Sequence, residues 1–187
     1  RAKKLSCVIK HLGMSSIRVP GNGVVGDQTI ESTFKSVRKK IQQICQDAEQ
    51  QSVTVYLHNH NHGSVPSTGD QVIRMLNEIT NRNLSYVLDT GQFQGSPGSS
   101  GKGCLDEISR SELYDSIAKC ADLAGIVRTK FYLSKSSYEH WLDYPRIINI
   151  LKDVNFGGPL SIVYEPRGKI PSTEALPIVV QYLTKLF

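Results

Sequence analysis

The apolar residues of this chain change their spacing repeatedly, from every second residue to about every 3.6, and no other feature restricts the fold as strongly. Period two marks a strand and 3.6 an amphipathic helix, so the switching predicts strands and helices in turn. Residues 1–13 read as a helix end stopped by Gly13. A strand follows, Ser15 to Val19, then a glycine-rich loop, Pro20 to Asp27, and a long helix, about Glu31 to Gln51. In that helix Phe34, Val37, Ile41, Ile44, Cys45 and Ala48 share one face. The second strand, Val53 to His58, leads to a helix over Thr68 to Thr80 with Ser67 or Thr68 as N-cap. The third, Ser85 to Asp89, leads into "GQFQGSPGSSGKG", Gly91 to Gly103, which reads as a flexible excursion longer than most connections. Helix Ser111 to Leu123, strand Ile126 to Phe131, helix Tyr144 to Val154 with Pro145 in its first turn, strand Leu160 to Glu165 and helix Ser172 to Phe187 complete the chain. Strict alternation with short buried strands means parallel pairing and an α/β fold.

A length of 187 residues suits one domain, 1–187, with its own core. With 39% hydrophobic and 21% charged residues, and no apolar run long enough to span a bilayer, the chain falls outside the disordered and membrane classes. The net charge of +5 is spread, apart from Arg1-Ala2-Lys3-Lys4 and Arg38-Lys39-Lys40. Such short runs are usually solvated helix faces, so nucleic acid is not the expected partner. Cys7, Cys45, Cys104 and Cys120 lie far apart with no CxxC spacing, which argues against a zinc ribbon and for free thiols in a reducing, cytoplasmic compartment. One sequon, Asn83-Leu84-Ser85, is a weak signal for secretion, no signal peptide is visible, and a chain starting at Arg1 leaves the true N-terminus open.

An open doubly wound sheet and a closed barrel both satisfy the alternation. The polar residues distinguish them. Arg18, His58 and His60, Asp89, Arg128 and Lys130, and Glu165 all fall at or near the carboxyl ends of strands, which in a parallel barrel converge on one mouth.

In order and spacing, "LHNHNHG", "YVLDTGQF", "IVRTKFY" and "LDYPRIINILKDVNFGGPLSIVYEP" resemble the later strand ends of the xylose isomerase-like TIM barrel superfamily. That superfamily holds sugar phosphate isomerases and epimerases together with apurinic-site endonucleases of the AP endonuclease family 2 type. The likeness runs from about His11 to the end. It implies a parallel (β/α)8 TIM barrel of which this sequence carries the last five βα units; such a barrel usually takes about 250 residues. The first three strands would come from a lost N-terminal part, a larger protein or another segment completing the barrel, and homo-oligomers are common in the family.

The resemblance also implies a divalent metal (Mn, Mg, Co or Zn) held by a Glu, an Asp, a His and a Glu on successive strand ends. The metal polarises the sugar oxygens while an acid and a base move a proton through an enediolate. Matched residue by residue, His58 stands at the first Glu, His60 matches the histidine beside it, and Asp89 is retained. Gln92 replaces a histidine of relatives with richer metal sets. Arg128 stands at the His ligand, where its permanent charge repels a cation. Ungapped, Val163 faces the last Glu; a one-step slip would bring Glu165 there. The implied site therefore has Asp89, His58 and Glu165 on the metal, and Glu165 and His58 as proton carriers. Arg18, His60, Arg128, Lys130 and Arg167 would bind a small sugar or sugar phosphate. In the competing reading Arg128 pairs with Asp89 or Glu165, there is no metal, and the barrel is a non-catalytic binding or assembly domain. A third reading, a nuclease-like relative acting on abasic DNA, lacks ligands at Gln92 and Arg128. His62 reads as a solvated loop residue, His11 and His140 as structural or exposed, and Trp141 and Tyr144 as packing a loop onto the rim.

Overall fold

The computed structural model describes residues 8, 11–61, 63–96, 107–132, 141–165 and 170–187. In chain order the elements are β1 (Ser16–Pro20), β2 (Asn22–Gly23), α1 (Ile30–Glu49), β3 (Thr54–His58), β4 (Ser64–Val65), α2 (Gly69–Glu78), β5 (Leu84–Asp89), α3 (Glu107–Cys120), a 3₁₀ turn (Ala121–Leu123), β6 (Ile126–Phe131), α4 (Tyr144–Asp153), β7 (Leu160–Tyr164) and α5 (Ser172–Leu186). Strands β1, β3, β5, β6 and β7 form one sheet in that order, every pair parallel, and the sheet curls into part of a (β/α) barrel.

Register decides which side chains share a face, because lateral neighbours in a parallel sheet point the same way. One face carries Val55, Leu57, Tyr86, Leu88 and Val127, all buried against the helices. The helices answer with Phe34, Val37 and Ile41 of α1, Val72 and Met75 of α2, Leu113 and Ile117 of α3, and Ile147 and Leu151 of α4. The concave face carries the rows Arg18–Tyr56–Ser85, His58–Val87–Ile126, Asp89–Arg128–Ser161 and Lys130–Val163. The hydrophobic pattern thus sends the polar residues inward. Among the described residues β1 and β7 each pair on one side only.

Helix starts follow local chemistry. Thr29 and Ser32 form a reciprocal capping box on α1, Thr68 rather than Ser67 caps α2, and Asp143 caps α4 with Pro145 in its first turn. Several boundaries differ from the sequence reading. Strand β1 extends to Pro20, α3 begins at Glu107 instead of Ser111, and β7 ends at Tyr164, leaving Glu165 just beyond it. The segment read as a plain loop after β1 contains β2, which pairs antiparallel with β4 as a small ribbon. Gly21 permits that approach, since a Cβ there would run into the Val65 carbonyl. The excursion after β5 is packed at its start: Phe93 is fully buried, the Gln94 N–H donates to the Ser67 carbonyl at 2.8 Å, and the Ser96 hydroxyl donates to the Gly91 carbonyl at 2.8 Å. Its continuation from 97 and most of the expected helix end over 1–13 lie outside the described residues. Cys45 and Cys120 are buried free thiols, pushed by burial up to about 11 and about 12; Cys7 and Cys104 lie outside the described residues. No helix among the described residues is long and apolar enough to cross a membrane.

Candidate functional site

Four side chains from four strands meet at the carboxyl end of the sheet. The His58 ring, 1% exposed, places Nε2 3.2 Å from Asp89 Oδ2 and Nδ1 3.2 Å from Arg18 Nη1. Arg128 Nη1 lies 3.0 Å from the same Asp89 oxygen and 3.2 Å from His58 Nε2. A guanidinium only donates and a carboxylate only accepts, so this network assigns the tautomer. The Nε2–H donates to Asp89, the Nδ1 lone pair accepts from Arg18, and Arg128 donates to Asp89. The other neutral tautomer would set Nδ1–H against Arg18 and the Nε2 lone pair against the Asp89 oxygen, and the imidazolium would set both ring N–H groups against guanidiniums.

Burial holds the His58 pKa below its ordinary value; the Asp89 hydrogen bond pulls upward, and the charges of Arg18 and Arg128 add to the lowering. For Asp89, fully buried, desolvation alone would raise the pKa, but the His58 hydrogen bond and the charges of Lys130 and Arg128 outweigh it and keep the carboxyl low. Arg18 is lowered by burial and by Arg128, against the pull of Asp89. The resulting cluster has a neutral imidazole, an ionised carboxylate and two guanidiniums.

Asp89 is further fixed by its backbone. The Gly91 N–H donates to Asp89 Oδ1 at 3.0 Å. Asn59, fully buried, brackets the same residue: its Nδ2 donates to the Asp89 carbonyl at 2.9 Å, and its Oδ1 accepts from the Asp89 N–H at 2.9 Å and from the Tyr86 hydroxyl at 2.8 Å. Sequence reasoning passed over Asn59 and Tyr86. The available signal was an asparagine between two histidines at a strand end, where a side-chain amide can replace a ladder that has just stopped.

Lys130 and Glu165 form a second pair. The buried Lys130 Nζ donates to Glu165 Oε1 at 2.6 Å, and the Glu165 N–H donates to the Phe131 carbonyl at 2.9 Å. The Lys130 stem lies against Gly91, where a Cβ would fall 2.6 Å from its Cδ. His60 sits apart from the cluster's hydrogen bonds: its Nδ1 lies 3.0 Å from the Asn61 carbonyl and 3.4 Å from Ser64 Oγ, with its ring edge-on to His58 at 6.0 Å. Tyr144 is a core residue, fully buried and stacked on Phe131 at 4.1 Å. Trp141 packs on the core and borders a cavity of about 610 Å³ with Arg110, Tyr114 and Arg146. His11 is exposed, while Arg167, His62 and His140 lie outside the described residues.

The donor set does not fit the implied divalent metal. Both nitrogens of His58 are engaged, Arg128 occupies the approach to Asp89 Oδ2 and Nε2, and Glu165 is held by Lys130. Val163 lies beside Lys130 on the concave face and offers no ligand. Among the described residues no group of three or more His, Cys, Asp or Glu side chains converges. Among the described residues, three cations around two carboxylates repel a further cation and suit an anion.

Parallel strands backed by helices, with the charged residues gathered at the strand carboxyl ends, define a (β/α)-barrel protein with these residues at its mouth. The chain belongs to the xylose isomerase-like TIM barrel family, whose sequence model matches residues 2–186. Similar solved structures include the 3-keto-D-glucoside 4-epimerase YcjR of E. coli, 16% identical with a TM-score of 0.69, covering 98% of this chain and 69% of that one. The IolI protein with a bound zinc atom is 16% identical with a TM-score of 0.72, covering 100% and 69%. An L-ribulose 3-epimerase is 14% identical with a TM-score of 0.71, covering 99% and 66%. At these identities the likeness carries the fold, not the chemistry. No curated protein sequence matches the chain closely enough to stand as a relative.

Proposed function

We propose that this chain is part of a sugar isomerase/epimerase-like barrel whose mouth takes up an anionic sugar, a sugar phosphate or sugar acid, without a divalent metal. The observation that carries the reading is Arg128, whose Nη1 stands against both Asp89 Oδ2 and His58 Nε2 at the position the family resemblance gives to a metal ligand. Among the described residues Arg18, Arg128 and Lys130 outnumber Asp89 and Glu165, with His58 neutral, so that set is short of one negative charge. A phosphate or carboxylate supplies it, and the guanidiniums can bind it through paired N–H donors. Asp89 and His58 serve as supports that fix both guanidiniums.

Proton transfer at the same mouth is the second reading, and it falls to Glu165. His58 commits its lone pair to Arg18 and its proton to Asp89, whereas Glu165 Oε2 has no partner among the described residues. The outer edges of β1 and β7 are where a second copy or a further segment would complete the barrel. The test is titration calorimetry of the full chain with glucose 6-phosphate, gluconate and glucose, with and without EDTA. Binding of an anionic sugar unaffected by EDTA and weakened by Arg128→Gln is expected. Binding of glucose alone, or affinity that appears only with added Mn²⁺ or Zn²⁺, would overturn the reading.

A further inference from the structure

Three buried polar side-chain atoms among the described residues lack a hydrogen-bond partner: Arg38 Nε, Asn61 Oδ1 and Glu165 Oε2. Arg38 Nε lies 3.4 Å from a Glu78 carboxylate oxygen, so its charge is compensated. Asn61 Oδ1 belongs to the turn after β3, where its amide nitrogen donates to Ser96. Glu165 Oε2 alone stands with the charged residues at the mouth, on a residue whose other oxygen is fixed by Lys130 at 2.6 Å.

A buried carboxylate oxygen with no donor is costly, and native structures rarely keep one without a ligand or water to satisfy it. Lys130 cannot turn to serve both oxygens without giving up the short contact to Oε1, and its stem is held against Gly91. The missing group must therefore be a donor. An anion's charged group cannot provide it, because phosphate and carboxylate oxygens only accept at neutral pH. A hydroxyl can.

We infer that Glu165 Oε2 accepts a hydrogen bond from a hydroxyl group of the bound anion, so that the mouth selects hydroxylated anions over plain ones. This rests on the anion-binding reading above and adds a polar reader to it: guanidiniums for the charge, Glu165 for the neighbouring hydroxyl. Lys130 is the positioning residue that leaves Oε2 free by holding Oε1.

Matched pairs of probes separate the two claims without any variant. Glycerate against propionate, and glycerol 3-phosphate against propyl phosphate, keep the charged group and change only the hydroxyls. Calorimetry on the full chain should show the hydroxylated member of a pair binding about tenfold tighter or more, as expected for a hydrogen bond to a charged acceptor. In Glu165→Leu nothing at position 165 can accept from the hydroxyl or donate to it; the preference should collapse to within about twofold while the charged groups still bind through the guanidiniums. Equal affinity within both pairs in the unaltered protein overturns the hydroxyl reader and leaves the anion site standing. Failure of all four probes to bind overturns both. A preference that survives intact in a folded Glu165→Leu protein places the reader on another residue and likewise overturns the inference.

Discussion

Replacing Arg128 with methionine removes a guanidinium from a carboxylate that has no exposure to water, and the size of the effect follows from what Asp89 keeps. Breaking a fully buried ion pair from one side costs about 3–5 kcal/mol, because the surviving charge is stranded. Asp89 is not left alone, however: His58 Nε2–H still serves Oδ2, the Gly91 N–H still serves Oδ1, and Arg128 is itself 19% exposed. The expected loss is therefore about 2–3 kcal/mol. Urea unfolding of the full chain near neutral pH reads it directly, and Asp89→Asn with the double substitution completes a mutant cycle. A coupling of about 1.5 kcal/mol or more between positions 89 and 128 is expected. Coupling under about 0.5 kcal/mol, the range of an exposed ion pair, would refute the claim that the guanidinium and carboxylate form one buried unit.

Three further outcomes follow from the same geometry. Because the folded pKa of His58 lies below that of the unfolded chain, about 6.5, the unfolded state takes up the proton first as pH falls, so stability should drop below about 6.5 by up to about 1.4 kcal/mol per pH unit until the folded pKa is reached. His58→Gln should flatten that slope in urea midpoints measured between pH 7.5 and 5, and an unchanged slope would sink the assignment. Asn59→Ala orphans the Asp89 N–H and carbonyl and the Tyr86 hydroxyl, and should cost about 3 kcal/mol or more; a thermal unfolding shift equivalent to less than about 1 kcal/mol would show that Asn59 is not the bracket described. Arg128→His with Val163→Glu removes the repelling charge and adds two ligands, so elemental analysis after dialysis against Zn²⁺ should show metal retention well above that of the unaltered chain; equal metal content in both would count against the electrostatic argument.

Much of the architecture was legible because it depends on spacing within single elements. The strands β3, β5 and β6 and the helices α1, α2 and α4 carry regular apolar patterns, and capping chemistry narrows the start of α2 to Ser67 or Thr68, of which the structure uses Thr68. The β2–β4 ribbon was invisible because two-residue strands have no period, and Asn22-Gly23 reads the same in a loop as in a ribbon. The residues of the cluster were also legible, since each falls at a strand end, but their partners were not. Period two puts His58 and His60 on one face only while the strand lasts; β3 stops at His58, and the turned chain gives His60 to Asn61 and Ser64 instead. The pairing of the last strand needed a neighbour: β6 places Val163 beside Lys130, and Glu165 follows one step nearer the mouth. Arg128 was marked as a repelling residue, yet whether it would meet Asp89 or Glu165 depends on contacts between strands about 40 residues apart in the chain, which no local pattern encodes.

Arg128 also has a consequence for how such a mouth lives in a cell. A metal ion is an exchangeable guest whose presence varies with supply, chelation and competition from other ions. A guanidinium tethered to β6 has no off-rate and no competitor, and it stays charged across the whole biological pH range. The positive charge at Asp89 is therefore inherited with the gene rather than acquired from the surroundings, and is present from the moment the strands close around it.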